Sequence, residues 1–166
     1  SNLPRQILYT NDEIGLAKVD ATKKAIAKIN SDVRVRTIKK KLLGSRLQLE
    51  CMQADIVLDC SDNFETRQEI NRACHKSKTP LVSGAAIGWE GQLATFTYQD
   101  SDPCYHCLYP INESQPNMRC SESGVVGPVV GIIGTHQALV AIRLVTLERD
   151  LANRLTLFDG LSMQFH

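Results

Sequence analysis

The sequence predicts an α/β fold whose sheet is parallel in its first half and antiparallel towards its end. Strand-like and helix-like segments alternate over the first half of the chain, which implies βαβ crossovers. Ile56-Val57-Leu58 is a continuous apolar run, typical of a parallel strand buried on both faces. Residues Gly91–Tyr98 instead alternate along the chain, which favours an antiparallel strand and makes the sheet mixed.

Periodicity defines the remaining elements of the first half. Apolar residues recur at helical spacing among lysines over Lys18–Asn30, which predicts an amphipathic helix. Valine and arginine alternate at the start of Val33–Ile38, which predicts a strand. A short helix over Ser45–Gln53 follows, and a longer one over Phe64–Lys78 stops before a proline. The next strand begins at Leu81.

The second half contains a polar loop, a long apolar helix and a closing strand pair. Residues 100–123 form a turn-rich insertion that carries three cysteines. The helix that follows extends to about Asp150, and Arg154–Phe158 and Ser162–Phe165 form a strand pair around Asp159-Gly160. Arg143 lies inside the apolar stretch, and a charge in a membrane span costs roughly 2.5–3.5 kcal/mol, so a buried core helix is expected.

Composition points to one cytoplasmic domain over residues 1–166. The apolar and charged fractions are 43% and 22%, as in soluble globular proteins. A net charge of +1 and an aromatic content of 5% argue against nucleic-acid binding. The six cysteines follow no signal peptide, which favours metal-binding or reactive thiols over a disulfide framework.

Polar residues follow two predicted strands where parallel sheets bind ligands, at Asp59–Asn63 and Ser83–Ala85. Asp62 fits a helix N-cap with Glu65 three residues later, and it also fits a Mg²⁺ ligand. We expect both roles together. Asp59 is expected to hold nearby backbone amides instead.

The cysteines are of different kinds. Cys104 and Cys107 form a Cys-x-x-Cys pair, which is typical of one half of a zinc knuckle. The same motif also occurs in redox-active pairs, but those stand at a helix start after a strand and not in a turn-rich loop. Cys120 stands beside Arg119 and ahead of a helix, which would lower a thiol pKa, although a lone loop cysteine is usually inert. We expect packing roles for Cys51, Cys60 and Cys74, and a satisfied core or interface role for His136.

Five motifs occur in an order and spacing that resemble one enzyme family. They are Ser1–Gln6, Gly15–Lys18, Leu58–Asn63, Cys104–Cys107 and Arg119-Cys120. The chain resembles the ThiF/MoeB/HesA-type sulfur-carrier adenylyltransferases, which are relatives of the ubiquitin-activating enzymes. Gly124–Gly131 and Leu157–Gly160 look closer to ThiF than to MoeB. The resemblance implies a Rossmann-like mixed sheet, here without the family's N-terminal βαβ portion and glycine-rich loop.

The resemblance also implies an activity and its residues. The reaction would be ATP-dependent adenylation of the C-terminal glycine of a small ubiquitin-like carrier. Arg5 and Lys18 would offset phosphate charge, and Asn2 and Gln6 would contact the nucleotide. Further assignments are Asp62 at Mg²⁺ and the nucleotide, Asn63 at the nucleotide, Cys104 and Cys107 at structural zinc, and Cys120 as acceptor of the acyl group. The second cysteine pair of the family's zinc site is absent from this sequence.

The implied partners are a carrier ending in Gly-Gly and a second copy of this chain, with 125–147 suited to an interface. Neither a membrane nor a nucleic acid is expected. The carrier's pathway, thiamine or molybdopterin, stays open. The alternative function is a non-catalytic binding or scaffold module. A nicotinamide-dependent oxidoreductase is disfavoured because no Gly-x-Gly-x-x-Gly loop is present.

Overall fold

The computed structural model describes Gln6 and residues 8–111, 124–147 and 153–166. The chain divides into two compact units, Ser1–Leu42 and Leu43–His166.

The first unit contains a 3₁₀ turn at Asn11–Glu13 and helix α1 at Lys18–Ile29, as the periodicity predicts. Ala21 is buried. The predicted strand Val33–Ile38 is wrong, because this segment is irregular and joins no sheet among the described residues. Alternating side chains are insufficient when the backbone N–H and C=O groups have no neighbouring strand to bond.

The second unit is built around a five-stranded sheet in the order β1-β2-β3-β4-β5. β1 and β2 are parallel, and each later neighbour is antiparallel, so the predicted mixed sheet is confirmed. The described residues contain one parallel pair, fewer than the alternation of elements predicts. The strands are β1 (Val57–Asp59), β2 (Leu81–Ile87), β3 (Glu90–Phe96), β4 (Leu155–Asp159) and β5 (Gln164–Phe165).

The described helices of the second unit are α2 (Gly44–Met52), α3 (Phe64–Ser77), α4 (Tyr105–Leu108) and α5 (Gly127–Thr146). α3 connects β1 to β2 and therefore confirms one βαβ crossover. It ends where Lys78 adopts a left-handed conformation with φ of 56°. α4 lies in the predicted loop insertion, and residues 112–123 of that insertion lie outside the described residues.

The two faces of the sheet pack against different helices because side chains alternate along each strand. Leu81 and Phe96 belong to the core that α2 and α3 cover. Val82 and Leu93 pack on α5, against Val140 and other α5 side chains. Helix α3 therefore lies beside the loop between β1 and α3 on one face of the sheet, and α5 lies beside it on the other face.

α5 is long and apolar enough to cross a membrane by length and composition alone. Five of its residues are buried, including Val129, Ile133 and Gln137, so one side of the helix is a core element, as predicted. The opposite side exposes Leu139, Ile142 and other apolar residues. Core helices of soluble proteins have the same composition, and the buried side favours that interpretation over a membrane span.

Candidate functional site

The loop after β1 lies at the carboxyl end of the parallel strand pair. β1 ends at Asp59, which stands opposite Ser83 of β2. The chain then passes through Cys60, Ser61 and Asp62 before α3 begins. Ligands of open α/β sheets bind beyond such strand ends. This edge is where the sequence analysis places the Asp62 site.

Asp59 shapes the loop from inside the protein. Its side chain is 2% exposed. Carboxylate oxygen Oδ1 accepts the backbone N–H of Ser61 at 2.9 Å and the Ser61 hydroxyl at 2.7 Å. The hydroxyl of Ser83 donates to Oδ2 at 3.3 Å. The prediction that Asp59 holds nearby backbone amides is confirmed.

The predicted helix cap at Asp62 is wrong by one residue. The N-cap of α3 is Asn63, whose side-chain oxygen accepts the backbone N–H of Thr66 at 2.9 Å. Asp62 is exposed, and its carboxylate receives one long contact of 3.4 Å from the side-chain amide of Asn63. Because Asn63 satisfies the helix terminus, the carboxylate of Asp62 remains available for a ligand.

Arg67 is a buried cation beside this loop, and sequence reasoning missed it. Its guanidinium donates to the Ser83 hydroxyl at 2.8 Å, to the Gly84 carbonyl at 2.9 Å and to the Ser61 carbonyl. The same group lies 3.6 Å from the Asp59 carboxylate. One available signal was its position on the core-facing stripe of α3, which an unpartnered arginine would rarely occupy.

Gln137 contacts the same loop from the other face of the sheet, and it too was missed. Its side-chain nitrogen donates to the carbonyls of Asp59 at 3.0 Å and Val82 at 2.8 Å. Its side-chain oxygen accepts the Cys60 thiol at 3.4 Å. The signal in the sequence was a single amide within an otherwise apolar helix.

Cys60 is not the packing residue that the sequence analysis expects. It is exposed just beyond β1, whereas Cys51 and Cys74 are buried as predicted. Partial desolvation and the neighbouring Asp59 carboxylate raise the pKa of the Cys60 thiol. The thiol therefore stays protonated, and hydrogen-bonded to α5, at neutral pH.

The Cys104 and Cys107 sulfurs lie 3.3 Å apart at the start of α4. Desolvation raises the pKa of the Cys104 thiol, but hydrogen bonds from Cys107 and nearby backbone outweigh it and leave the pKa lowered. Two adjacent sulfurs fit half of a tetrahedral zinc site. Within the described part of the chain, no group of three or more possible ligands completes it.

The other predicted nucleotide residues belong to the first unit. Lys18 is exposed at the first position of α1. Gln6 is half-buried, and its backbone carbonyl accepts the N–H of Tyr9 at 3.1 Å. Asn2, Arg5 and the predicted acyl acceptor Cys120 lie outside the described residues.

His136 differs from the expectation of a satisfied core residue. Its Nδ1 is buried without a hydrogen-bond partner among the described residues. The ring packs edge-on against Phe165, with centroids 5.6 Å apart. The contact explains why an imidazole is tolerated here but leaves its nitrogen unsatisfied.

Sequence comparison identifies relatives over the whole chain. The profile of the ThiF family matches residues 1–166. The chain is 44% identical over 165 residues to the sulfur carrier protein ThiS adenylyltransferase of Escherichia coli, covering 99% of this chain and 65% of that protein. It is 37% identical over 166 residues to the Escherichia coli molybdopterin-synthase adenylyltransferase, covering 99% of this chain and 66% of that protein.

Structural comparison supports the same fold. MccB of Escherichia coli, solved with ATP, superposes with a TM-score of 0.81 at 19% identity, covering 99% of this chain and 52% of that chain. MccB solved with MccA-N7isoASN gives a TM-score of 0.82 at 18% identity, covering 99% and 52%. The chain spans 65% and 66% of the length of these two Escherichia coli adenylyltransferases and about half of MccB.

Proposed function

Since the chain belongs to the ThiF family, we propose that the protein adenylates the C-terminal glycine of a small ubiquitin-like sulfur carrier. The single observation that carries this proposal is 44% identity, over 99% of the chain, to a ThiS adenylyltransferase. Residues 1–166 would form most of one adenylation domain of a cytoplasmic enzyme.

The reaction joins two anions and therefore needs charge compensation. A carboxylate oxygen of the carrier attacks the α-phosphorus of ATP, and the bond from that phosphorus to the bridging oxygen breaks. Pyrophosphate leaves, and the carrier holds an acyl-adenylate whose AMP a sulfur donor can displace. Positively charged groups stabilise the charge that develops at the α-phosphorus.

Asp62 is the proposed magnesium ligand. Mg²⁺ binds one or two protein carboxylates together with substrate phosphates, and Asp62 offers an exposed carboxylate at the ligand-binding edge. The exposed carboxylate supplies the hard oxygen donors that Mg²⁺ prefers, whereas the neighbouring Asn63 oxygen is bonded to the Thr66 N–H. When bound, the ion would neutralise phosphate charge and orient the pyrophosphate leaving group.

Two cations are proposed to bind phosphate groups of the nucleotide, as the family resemblance implies. Lys18 is exposed, and its ammonium group, on a flexible side chain, would bind a phosphate oxygen as a mobile point charge. Arg5 would add bidentate contacts, and Asn2 and Gln6 would contact the nucleotide, as the family resemblance implies. Cys120 is proposed to accept the activated acyl group as a thioester, releasing AMP.

A shallow cavity on the sheet is the proposed binding site for the carrier's C-terminal tail. It has a volume of about 380 Å³ and is lined by Ala85, Gln92, Leu157 and neighbouring residues. The hydroxyl of Tyr109 donates to Gln92 at 2.7 Å, which brings the segment after the cysteine pair to its edge. Small residues such as Ala85 leave room for a thin, extended glycine tail.

Two further features of the enzyme are proposals. The exposed apolar side of α5, with Leu139, Ile142 and Val145 each more than half exposed, is suited to a homodimer interface. Ile142→Glu would then convert a dimer to a monomer in light scattering. Cys104 and Cys107 would hold zinc with further ligands that lie outside the described residues, so Cys104→Ser would lower the zinc content of the protein.

Carrier-dependent exchange between ATP and pyrophosphate tests the proposal. The full-length protein is assayed with a ThiS-type and a molybdopterin-type carrier, and with each carrier shortened by its last two glycines. We expect exchange with at least one intact carrier and none with the shortened forms. Absence of exchange with both intact carriers would favour the non-catalytic module instead.

A further inference from the structure

Two side chains from opposite faces of the sheet hold the segment that leads to Asp62. Arg67 reaches it from α3, and Gln137 reaches it from α5. Both residues are largely buried, at 8% and 3% exposure. Each therefore makes its hydrogen bonds away from most of the competing solvent water.

Arg67 fixes the far end of the segment. Its Nη2 donates both to the Ser61 carbonyl and to the Gly84 carbonyl, the latter at 2.9 Å. Its Nη1 donates to the Ser83 hydroxyl at 2.8 Å. One planar guanidinium thus ties the loop after β1 to the end of β2, and a lysine could not reproduce this fork.

Gln137 fixes the near end. Its amide nitrogen bridges the Asp59 carbonyl at 3.0 Å and the Val82 carbonyl at 2.8 Å, joining the two parallel strands where the loop departs. Its oxygen is occupied by the Cys60 thiol. A β-carbon at Gly84 would lie 2.7 Å from that oxygen, so the glycine makes room for the amide.

Asp62 has no comparable anchor of its own. Among the described residues, its carboxylate accepts one long hydrogen bond of 3.4 Å from the Asn63 side-chain amide, and it is exposed. The position from which this carboxylate can reach a ligand therefore depends on the backbone just before it. That backbone is bonded at the Asp59 carbonyl by Gln137 and at the Ser61 carbonyl by Arg67.

We propose that Arg67 and Gln137 are positioning residues that together aim the Asp62 carboxylate at the metal and nucleotide. This role rests on the proposed adenylation reaction. Residues that orient a metal ligand typically change metal affinity or activity by roughly 10–100-fold when replaced. The same two residues should also restrain the loop in the absence of any ligand.

Hydrogen–deuterium exchange tests the restraint without reference to activity. Arg67→Lys keeps the charge and removes the fork, and Gln137→Met keeps the side-chain length and removes the amide. We expect peptides spanning 60–63 to exchange faster in both variants than in wild type. The matched control is Arg72→Gln, because Arg72 is an exposed residue of the same helix that pairs with Glu69.

Magnesium titration tests whether Arg67 and Gln137 position the Asp62 carboxylate for metal binding. We expect the Mg²⁺ concentration for half-maximal ATP–pyrophosphate exchange to rise about tenfold in both variants, with Arg72→Gln unchanged. Binding of Mn²⁺ alone, followed by water proton relaxation, should weaken in parallel. If Arg67→Lys does not fold, Gln137→Met decides both measurements.

The possible failures are distinguishable. Folded variants with unchanged loop exchange and unchanged metal dependence would overturn the positioning role, even if the wild type is active. A wild type without carrier-dependent exchange would overturn the adenylation proposal. In that case an unchanged loop exchange or Mn²⁺ affinity in Gln137→Met would still reject the positioning role on its own.

Discussion

The side-chain oxygen of Asn63 accepts the backbone N–H of Thr66 at 2.9 Å, and this bond begins helix α3. The preceding residue, Asp62, is thereby freed from capping and presents an exposed carboxylate. Two adjacent polar residues thus have separable roles, one in stability and one in the proposed chemistry. Each role can be tested by replacing one residue and leaving the other.

Asn63→Ala should destabilise the protein. The substitution removes the cap of α3 and leaves the Thr66 N–H without its partner, which typically costs about 1 kcal/mol. Urea denaturation measures the change in the free energy of unfolding. Asn63→Asp is the control, because aspartate caps helices about as well as asparagine. Equal stability of Asn63→Ala and wild type would contradict the capping role.

Asp62→Asn should leave the stability of the protein nearly unchanged and lower its activity. The carboxylate makes one long contact in the folded chain, so the free energy of unfolding should change by less than about 0.5 kcal/mol. The proposed metal ligand loses its charge, so ATP–pyrophosphate exchange should fall by at least about a hundredfold. Retention of exchange at saturating magnesium would reject Asp62 as the ligand.

Asn71 should be essential to the structure that carries the cysteine pair. Its buried side-chain oxygen accepts the Tyr98 hydroxyl at 3.0 Å and the Tyr105 backbone N–H at 2.9 Å. Asn71→Ala leaves both donors without this acceptor, at roughly 1–3 kcal/mol for each, measured by urea denaturation. Tyr98→Phe removes one donor and keeps the other bond, so it should cost less. The reverse order of the two variants would contradict this arrangement.

Replacing either of two glycines with alanine should change the stability of the protein, in opposite directions. A β-carbon at Gly91 would lie 2.5 Å from the Ile133 side chain, so Gly91→Ala should cost about 1–3 kcal/mol by overpacking. A β-carbon at Gly131 would meet no atom of the described residues within 4 Å, and alanine favours the helix by up to about 1 kcal/mol. Thermal unfolding at dilute concentration measures both. A lower melting temperature for Gly131→Ala would show that this side of α5 is covered in solution.

Cys60 should alkylate slowly near neutral pH. Desolvation and the Asp59 carboxylate raise its thiol pKa, so the reactive thiolate is scarcer than in an ordinary cysteine. The rate should increase as the pH rises above the usual cysteine range, because the thiolate then forms. Iodoacetamide labelling followed by peptide mass spectrometry, with a short cysteine peptide as reference, measures the rate. Labelling faster than the reference at pH 8 would contradict the raised pKa.

Most regular elements could be predicted from periodicity. The apolar run before Asp59 and the alternation near Leu93 mark strands that the structure contains. Val33–Ile38 has the same alternation and forms no strand, because pairing depends on a neighbour that local sequence does not reveal. The helix cap was placed one residue early because aspartate and asparagine have nearly equal capping preference.

The candidate site was predictable only in part. Asp62 follows the parallel strand β1, and this local pattern locates it at the ligand-binding edge. The expectation that this strand is buried on both faces is wrong, because Leu58 is 43% exposed. Arg67 and Gln137 act across the fold, and Gln137 lies 78 residues from the Asp59 carbonyl that it holds. In the sequence, the only sign of such a contact is a polar residue on an otherwise apolar face of a helix, which is a weak signal.

The most direct test of the adenylation proposal is intact-mass analysis of the carrier after incubation with ATP, magnesium and the protein, without a sulfur donor. The protein carries Cys120→Ala, so that the proposed thioester cannot form and release AMP. We predict that a carrier ending in Gly-Gly gains the mass of one AMP, and that a carrier lacking those glycines gains none. Hydrolysis of ATP with no carrier modified, in either pathway's carrier, would contradict the proposal.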